Sequence, residues 1–240
     1  MFETLLTQPL YNGFIYLIGI MPGGEVGLAI IVLTIIVRVV FYPFFTASIR
    51  TQMGMQAAQG ELDHINKQYK DNPTERAKQT MGLFKKYNVR PFAGFLALLV
   101  QIPIFIALYI AFFHESLPSI DTELLYSFVQ APSVVNVNFF GILDLLAPHN
   151  ILLALLVGLS QYAVTHFSFA RNKPHANMSP EKQSVHHMQR KMMLYFLPAL
   201  IGVISYTLPS AVGLYFLTGN LFSLGQEWLI RRQMLEKLAQ

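Results

Sequence analysis

Residues 27–45 read GLAIIVLTIIVRVVFYPFF, and the run holds a single charge, Arg38. About twenty apolar residues cross the hydrocarbon core of a bilayer as a helix. An arginine inside such a span costs roughly 2.5–3.5 kcal/mol on insertion scales, so it must face protein or water rather than lipid. The rest of the chain therefore has to enclose Arg38. Composition agrees with a membrane setting: 53% of residues are hydrophobic and 12% charged, against about 25% charged in an ordinary soluble domain. The apolar residues come in blocks rather than stripes, the mark of a polytopic membrane protein. There is no cysteine, which excludes disulfides, thiol chemistry and cysteine metal sites. No lysine or arginine precedes Arg38, so the start lacks the basic region of a signal peptide.

The chain divides as follows. Residues 1–25 contain a short apolar run, Pro9 to Met21, too short to span. Phe14, Tyr16, Leu17 and Ile20 with Tyr11 suit a helix lying flat at the extracytosolic interface. A disordered leader is the alternative. The first span is 26–45, with Pro43 near its inner end. Residues 46–91 are a polar, basic insert. Thr46 to Tyr69 reads as helix. Asn72-Pro73-Thr74-Glu75 then reads as a new helix start, with Asn72 as cap, Pro73 in the first turn and Glu75 three residues on. The second helix runs to about Tyr87, so the insert is an αα-hairpin. Met53, Met55, Met81, Leu83 and Phe84 give it an apolar face, either for mutual packing or as a soft surface for apolar segments. Further spans follow at 92–113, 150–170, 192–208 and 211–230. They are separated by an extracytosolic loop at 114–149, a cytosolic loop at 171–191 and a break at Pro209. Residues 231–240 form a tail.

Orientation follows from charge. Of 17 lysines and arginines, eight lie in 46–91, five in 171–191 and three in 231–240; none lies in 1–25, 114–149 or 209–210. Basic loops stay in the cytosol. Five spans alternate with this count, placing the N-terminus outside and the C-terminus in the cytosol. The expected fold is thus an all-α membrane protein of five transmembrane helices, with a cytosolic hairpin and an N-terminal interfacial helix. The inner halves of the spans then hold Arg38, Gln101, Ser160, Gln161, Thr165, His166, Ser168, Asn220, Ser223, Gln226 and Glu227. The outer halves hold little beyond Thr34 and a Ser205-Tyr206-Thr207 patch. Buried polar groups need partners or water. One wet groove open to the cytosol and inner leaflet, under a dry outer roof, satisfies them together. The plainer alternative is that hydroxyls bond back to their own helix and glutamines bridge helices. Glu227 either pairs with Arg231 at i+4 or snorkels.

At these residues the chain resembles the YidC family of membrane protein insertases. The resemblance rests on LTIIVR (Leu33 to Arg38) with FYPF (Phe41 to Phe44), on KKYNVRPFAG (Lys85 to Gly94) running into QIPIFIALY (Gln101 to Tyr109), and on GLYFLTGN (Gly213 to Asn220). It implies five core helices around a cytosol-facing hydrophilic groove. It also implies that Arg38 is the groove arginine and Thr34 the polar residue one turn before it. Tyr215 and Phe216 match an aromatic pair that contacts the inserting segment, although relatives often carry Trp or Tyr at the position of Phe216. Many relatives place a groove glutamine near Val164; here Gln161, on nearly the same face, stands in. The implied client-binding set is Arg38, Thr34, Gln101, Gln161, Tyr215, Phe216 and Asn220. The implied partners are nascent membrane protein clients and the lipid bilayer, with the ribosome, the signal recognition particle and the Sec translocon. The implied location is the bacterial plasma membrane. The resemblance is to the core form of the family, for which the large extracytosolic domain and the long basic tail of some relatives are not expected.

The expected function is that of an insertase and chaperone, not an enzyme. The groove lowers the cost of drawing a hydrophilic client segment partway across the membrane. Two rivals are weighed. An anion transporter would use Arg38 as its binding charge, but no internal repeat is found. An intramembrane hydrolase finds no HExxH and no serine in a nucleophile motif. His186-His187 sits in a loop with no acidic ligand close by in sequence. No cofactor, no metal and no direct DNA binding are expected.

Overall fold

The computed structural model describes residues 8–90, 92, 106, 117, 119–120, 122–169, 188 and 190–238. Nearly all of the expected second span, including Gln101, and most of the 171–191 loop lie outside the described residues. The protein is mostly helical: α1 Gln8–Ile20, α2 Val26–Val40, α3 Tyr42–Gln68, α4 Pro73–Lys86, α5 Ile151–Phe169, α6 Leu197–Thr207 and α7 Ser210–Leu238. A π-helical turn, Met192–Phe196, leads into α6. Against α7 pack α2 on one flank and α5 on another, and α6 lies on α5. Gly158 of α5 and Gly202 of α6 let these two backbones approach closely; a Cβ on Gly202 would stand 3.6 Å from the Gly158 Cα. Gly213 admits α7 to the same crossing, where a Cβ would meet Leu153 and, at 2.6 Å, the Ser205 hydroxyl.

By length and composition, Ile151–Ser168 is long and apolar enough to cross a membrane, with a mean hydropathy of 1.5. The first expected span is different. Its helix stops at Val40, and the chain turns by 68° before α3 begins at Tyr42. Pro43 is the physical cause. It has no N–H to donate to the carbonyl four residues back, so α2 cannot run on through it. Residues 42–45 therefore lie in the same helix as the hairpin's first arm, and α2 is about 22 Å long at 1.5 Å per residue. The bent pair α2–α3 passes the length and composition test for a membrane span only when taken together.

One end of the bundle is covered by residues 122–149, which fall within the stretch expected as a loop. A two-residue antiparallel pair, β1 (Asn138–Phe139) with β2 (Leu143–Asp144), anchors it. The backbone N–H groups of Val26 and Asn136 donate to the Asn136 and Gly24 carbonyls. Gly24 is in the left-handed region at φ 67°, and a Cβ there would collide with the Val134 carbonyl oxygen. At the start of α7, the amides of Ser210 and Ala211 donate to the carbonyls of Ala147 and Leu145, satisfying helix-end donors that have no partner within the helix.

The same loop packs on α1: Tyr11, Phe14, Ile15 and Ile18 are buried with Val26, Ile30, Leu33, Val129, Leu145 and Tyr215 in one core cluster, and Tyr16 and Ile20 remain exposed. Asn12, also buried, fixes the register. Its Nδ2 donates to the carbonyls of Gln8 (2.9 Å) and Leu124 (3.0 Å), and its Oδ1 accepts from the Tyr126 amide at 2.7 Å. Asn12→Leu keeps the volume but strands those loop groups. The expected loss is about 2–3 kcal/mol, from buried peptide groups left without partners. Thermal unfolding of the detergent-solubilised protein measures it, and a loss under about 0.5 kcal/mol would mean water replaces the side chain.

The hairpin forms as its cap predicts. The Asn72 side chain accepts from the Glu75 amide at 3.1 Å, and Pro73 opens α4. Glu61 of α3 ties the two helices together. It accepts from Lys86 Nζ at 2.8 and 2.9 Å and from the Tyr87 hydroxyl at 2.6 Å. Hydrogen bonds from Lys86, then Tyr87, hold the Glu61 carboxyl below its ordinary 4.5, while the Glu61 bond raises Lys86 above 10.5 and Tyr87 above 10.0. A lowered carboxyl stabilises the folded form above its ordinary value and stops doing so as pH falls through the lowered one. Raised Tyr87 and Lys86 stabilise below their ordinary values and fade as pH rises through the raised ones. The latch is therefore complete from about pH 4.5 to pH 10. Amide exchange in α4, corrected for intrinsic rates, is expected to quicken below pH 4. Glu61→Gln should quicken it at neutral pH and flatten that acid response.

Candidate functional site

The polar side chains of the bundle form three levels along α7, counted from its middle toward its basic end. The first is Arg38, in the last turn of α2. It is half-buried, with its guanidinium carbon 4.5 Å from the centroid of the buried Phe45 ring. A Cβ on Gly219 would lie 3.1 Å from its Nη2. Among the described residues no carboxylate or other hydrogen-bond partner meets Arg38. At this level Asn220 Nδ2 donates to Ser160 Oγ at 3.0 Å, and that hydroxyl donates on to the Val157 carbonyl.

About 9 Å further along the axis, Gln226 Nε2 donates to Thr46 Oγ1 at 3.2 Å and, at 3.4 Å, to the Tyr42 carbonyl. The third level is a charged junction. Glu227, 3% exposed, accepts at Oε1 from Arg231 Nε (3.0 Å) and Nη2 (2.7 Å), and at Oε2 from Ser168 Oγ (2.6 Å). Arg231 also donates to the Ser168 carbonyl and stacks over Phe167. Gln56 of α3 donates to that same carbonyl at 2.9 Å. Glu227 thus pairs with Arg231 rather than snorkelling, and the junction fastens the hairpin to the bundle.

The residues expected to form the site are treated unequally. Thr34 is buried, and its hydroxyl donates to the Ile30 carbonyl at 2.6 Å. Thr165, Thr218 and Ser223 likewise turn back on carbonyls four residues earlier. These hydroxyls need no water, which leaves Arg38 together with the buried Gln226 Oε1 and Ser205 Oγ as bundle groups without a hydrogen-bond partner among the described residues. Asn220 is engaged between helices. Gln161 is half-buried on α5, one residue beyond Ser160. Tyr215 is 3% exposed and packed in the core cluster, so it presents little surface to a bound segment in this conformation. Its neighbour Phe216 is half-buried, ring centroids 5.6 Å apart. Gln101 lies outside the described residues. Phe45 and Gly219 were not among the expected site residues, and Ser168 was expected only as one of the inner-half polar groups. Only the Glu227–Arg231 spacing had signalled the junction.

Comparison with known proteins gives the geometry its context. The family model described as "60Kd inner membrane protein" matches residues 18–237. A membrane protein insertase YidC of Oceanobacillus iheyensis is 34% identical over 216 residues, which cover 88% of this chain and 76% of the relative. A membrane protein insertase YidC of Francisella tularensis subsp. novicida is 33% identical over 209 residues, 87% of this chain. There the match spans only 33% of the relative's length. A match over nine-tenths of the sequence, with the Arg38 helix and the Gly213–Asn220 segment inside it, leaves one assignment: the chain belongs to the YidC family of membrane protein insertases.

Proposed function

We propose that this protein inserts small membrane proteins, drawing a hydrophilic client segment toward Arg38 through a groove open to the cytosol and the inner leaflet. The observation that carries the reading is Arg38 itself. It is a half-buried cation between apolar helices, with no acid beside it among the described residues. A negative client segment supplies the missing partner. No covalent step is needed. The client's apolar helix leaves the groove wall for lipid, and its burial, at about 25 cal/mol per Å², drives the process.

In this reading five spans cross the bacterial plasma membrane, with the N-terminus outside and the C-terminus in the cytosol. The 122–149 cover is the extracytosolic roof and the α3–α4 hairpin receives the client, helped by Met81, which is 67% exposed. The ribosome, the signal recognition particle and the Sec translocon are the partners that family membership suggests. The test is reconstitution into liposomes with a single-span client bearing an acidic tail, scored by protease protection of the tail. Protection above that of protein-free liposomes is expected. Protection no greater than theirs, together with anion flux through the purified protein, would replace this reading with a transporter.

A further inference from the structure

Arg38 and Phe45 are seven residues apart, and in a straight helix those residues would be separated by about 10 Å along the axis. The break at Phe41 and the 68° turn before α3 instead bring the Phe45 ring to 4.5 Å from the guanidinium carbon. Phe45 is 8% exposed, so the ring is fixed by its surroundings. On α7, the backbone of Gly219 passes so close that an added Cβ would stand 3.1 Å from Nη2, 3.9 Å from Cζ and 4.0 Å from Nε. A freely hanging arginine has many rotamers, and fixing one carries an entropic cost that a packed partner offsets.

We propose that Phe45 and Gly219 are positioning residues for Arg38: the bend at Pro43 delivers an aromatic face to the guanidinium, and a glycine leaves it room. The inference rests on the reading of Arg38 as the groove charge. It adds that the charge works only when held in this slot. An unheld guanidinium would stack elsewhere or reach for the helix-end carbonyls freed at the bend.

The two contacts respond differently to mutation. Phe45→Leu removes the ring face and keeps an apolar side chain; Phe45→Tyr keeps the face. Gly219→Ala meets only the tip of a flexible side chain and improves helix propensity, so it shifts the guanidinium without threatening the fold. The experiment has two arms on the full-length protein. In liposomes, Phe45→Leu and Gly219→Ala should each slow insertion of an acidic-tailed client by about 3- to 10-fold. Neither should slow a neutral-tailed client, Phe45→Tyr should be near wild type, and neither change should matter in an Arg38→Gln background. In detergent, a thermal-unfolding cycle over Phe45→Leu and Arg38→Gln should be non-additive, because each change removes the same contact. Additive unfolding effects, or wild-type insertion by both Phe45→Leu and Gly219→Ala where Arg38→Gln fails, would overturn the proposal and leave the insertase reading intact. Coupled unfolding with undiminished insertion by Arg38→Gln would uphold the slot and overturn the electrostatic role of Arg38.

Discussion

Arg38→Ala is expected to reduce insertion of an acidic-tailed client by about 10- to 100-fold, the worth of 1.4–2.8 kcal/mol at the partial screening of a wet groove. Arg38→Lys should retain most of the activity on such a client, since the charge persists. It should not match wild type, because an ammonium lacks the planar face that lies against Phe45. A client with a neutral tail should barely distinguish the three proteins. That contrast separates a charge effect from a folding effect, since a misfolded variant fails with both clients. Equal insertion of the acidic client by wild type, Arg38→Ala and Arg38→Lys would leave the insertase assignment standing and remove Arg38 from its mechanism. Salt sharpens the test: screening within about 8 Å at physiological ionic strength weakens exposed attractions far more than half-buried ones. The wild-type advantage should therefore survive moderate salt.

The reason for expecting so large an effect is the absence of competition. The charges nearest to Arg38 along α7, Glu227 and Arg231, satisfy each other. The hydroxyls near Arg38 are turned onto their own helices. The Asn220 amide is engaged with Ser160. Among the described residues, then, Arg38 is a half-buried cation with no carboxylate beside it, and on the proposed reading a client's carboxylate fills that place.

Much of this was readable from sequence, for identifiable reasons. Helix starts written in local chemistry were found almost to the residue: Asn72 with Pro73 for α4, and Pro209-Ser210 before α7. What escaped was whatever depends on the third dimension. The run from 26 to 45 stays apolar on both sides of Pro43, so composition could not show the 68° bend there. The β1–β2 pair is two residues long on each side, too short for an alternating pattern to appear. The apolar face of α1 was visible, but whether protein or lipid covers it depends on a loop more than a hundred residues away. For the polar hydroxyls the sequence left two readings open, because a threonine or serine in a helix carries its own acceptor four residues back. Phe45 and Gly219 carried no signal, since an aromatic residue and a glycine in apolar runs look like packing until they are seen beside a guanidinium.

Arg231→Ala should produce the largest loss of stability, about 3 kcal/mol, at the low end for breaking a buried pair because the arginine side chain is still 16% exposed. The variant leaves the Glu227 carboxylate nearly inaccessible with a single remaining donor, Ser168. It also removes the stack on Phe167 and a bond to the Ser168 carbonyl. Ser168→Ala removes one charge-assisted hydrogen bond and should cost about half as much. The informative variant is the pair Arg231→Met with Glu227→Leu. Replacing both charges with apolar groups abolishes the uncompensated carboxylate, so the pair should be more stable than Arg231→Ala despite carrying more changes. Unfolding in detergent measures all three. The same series reports on function, because Gln56 bonds to the carbonyl that Arg231 also holds. Spin labels on cysteines introduced into α3 and α7 should give a broader distance distribution in Arg231→Ala than in wild type. A narrow, unchanged distribution beside a 3 kcal/mol loss would show that the junction stabilises the bundle without aiming the hairpin. A broadened one, with slower insertion of acidic and neutral clients alike, would tie the hairpin's orientation to client capture and separate it from the charge selectivity of Arg38.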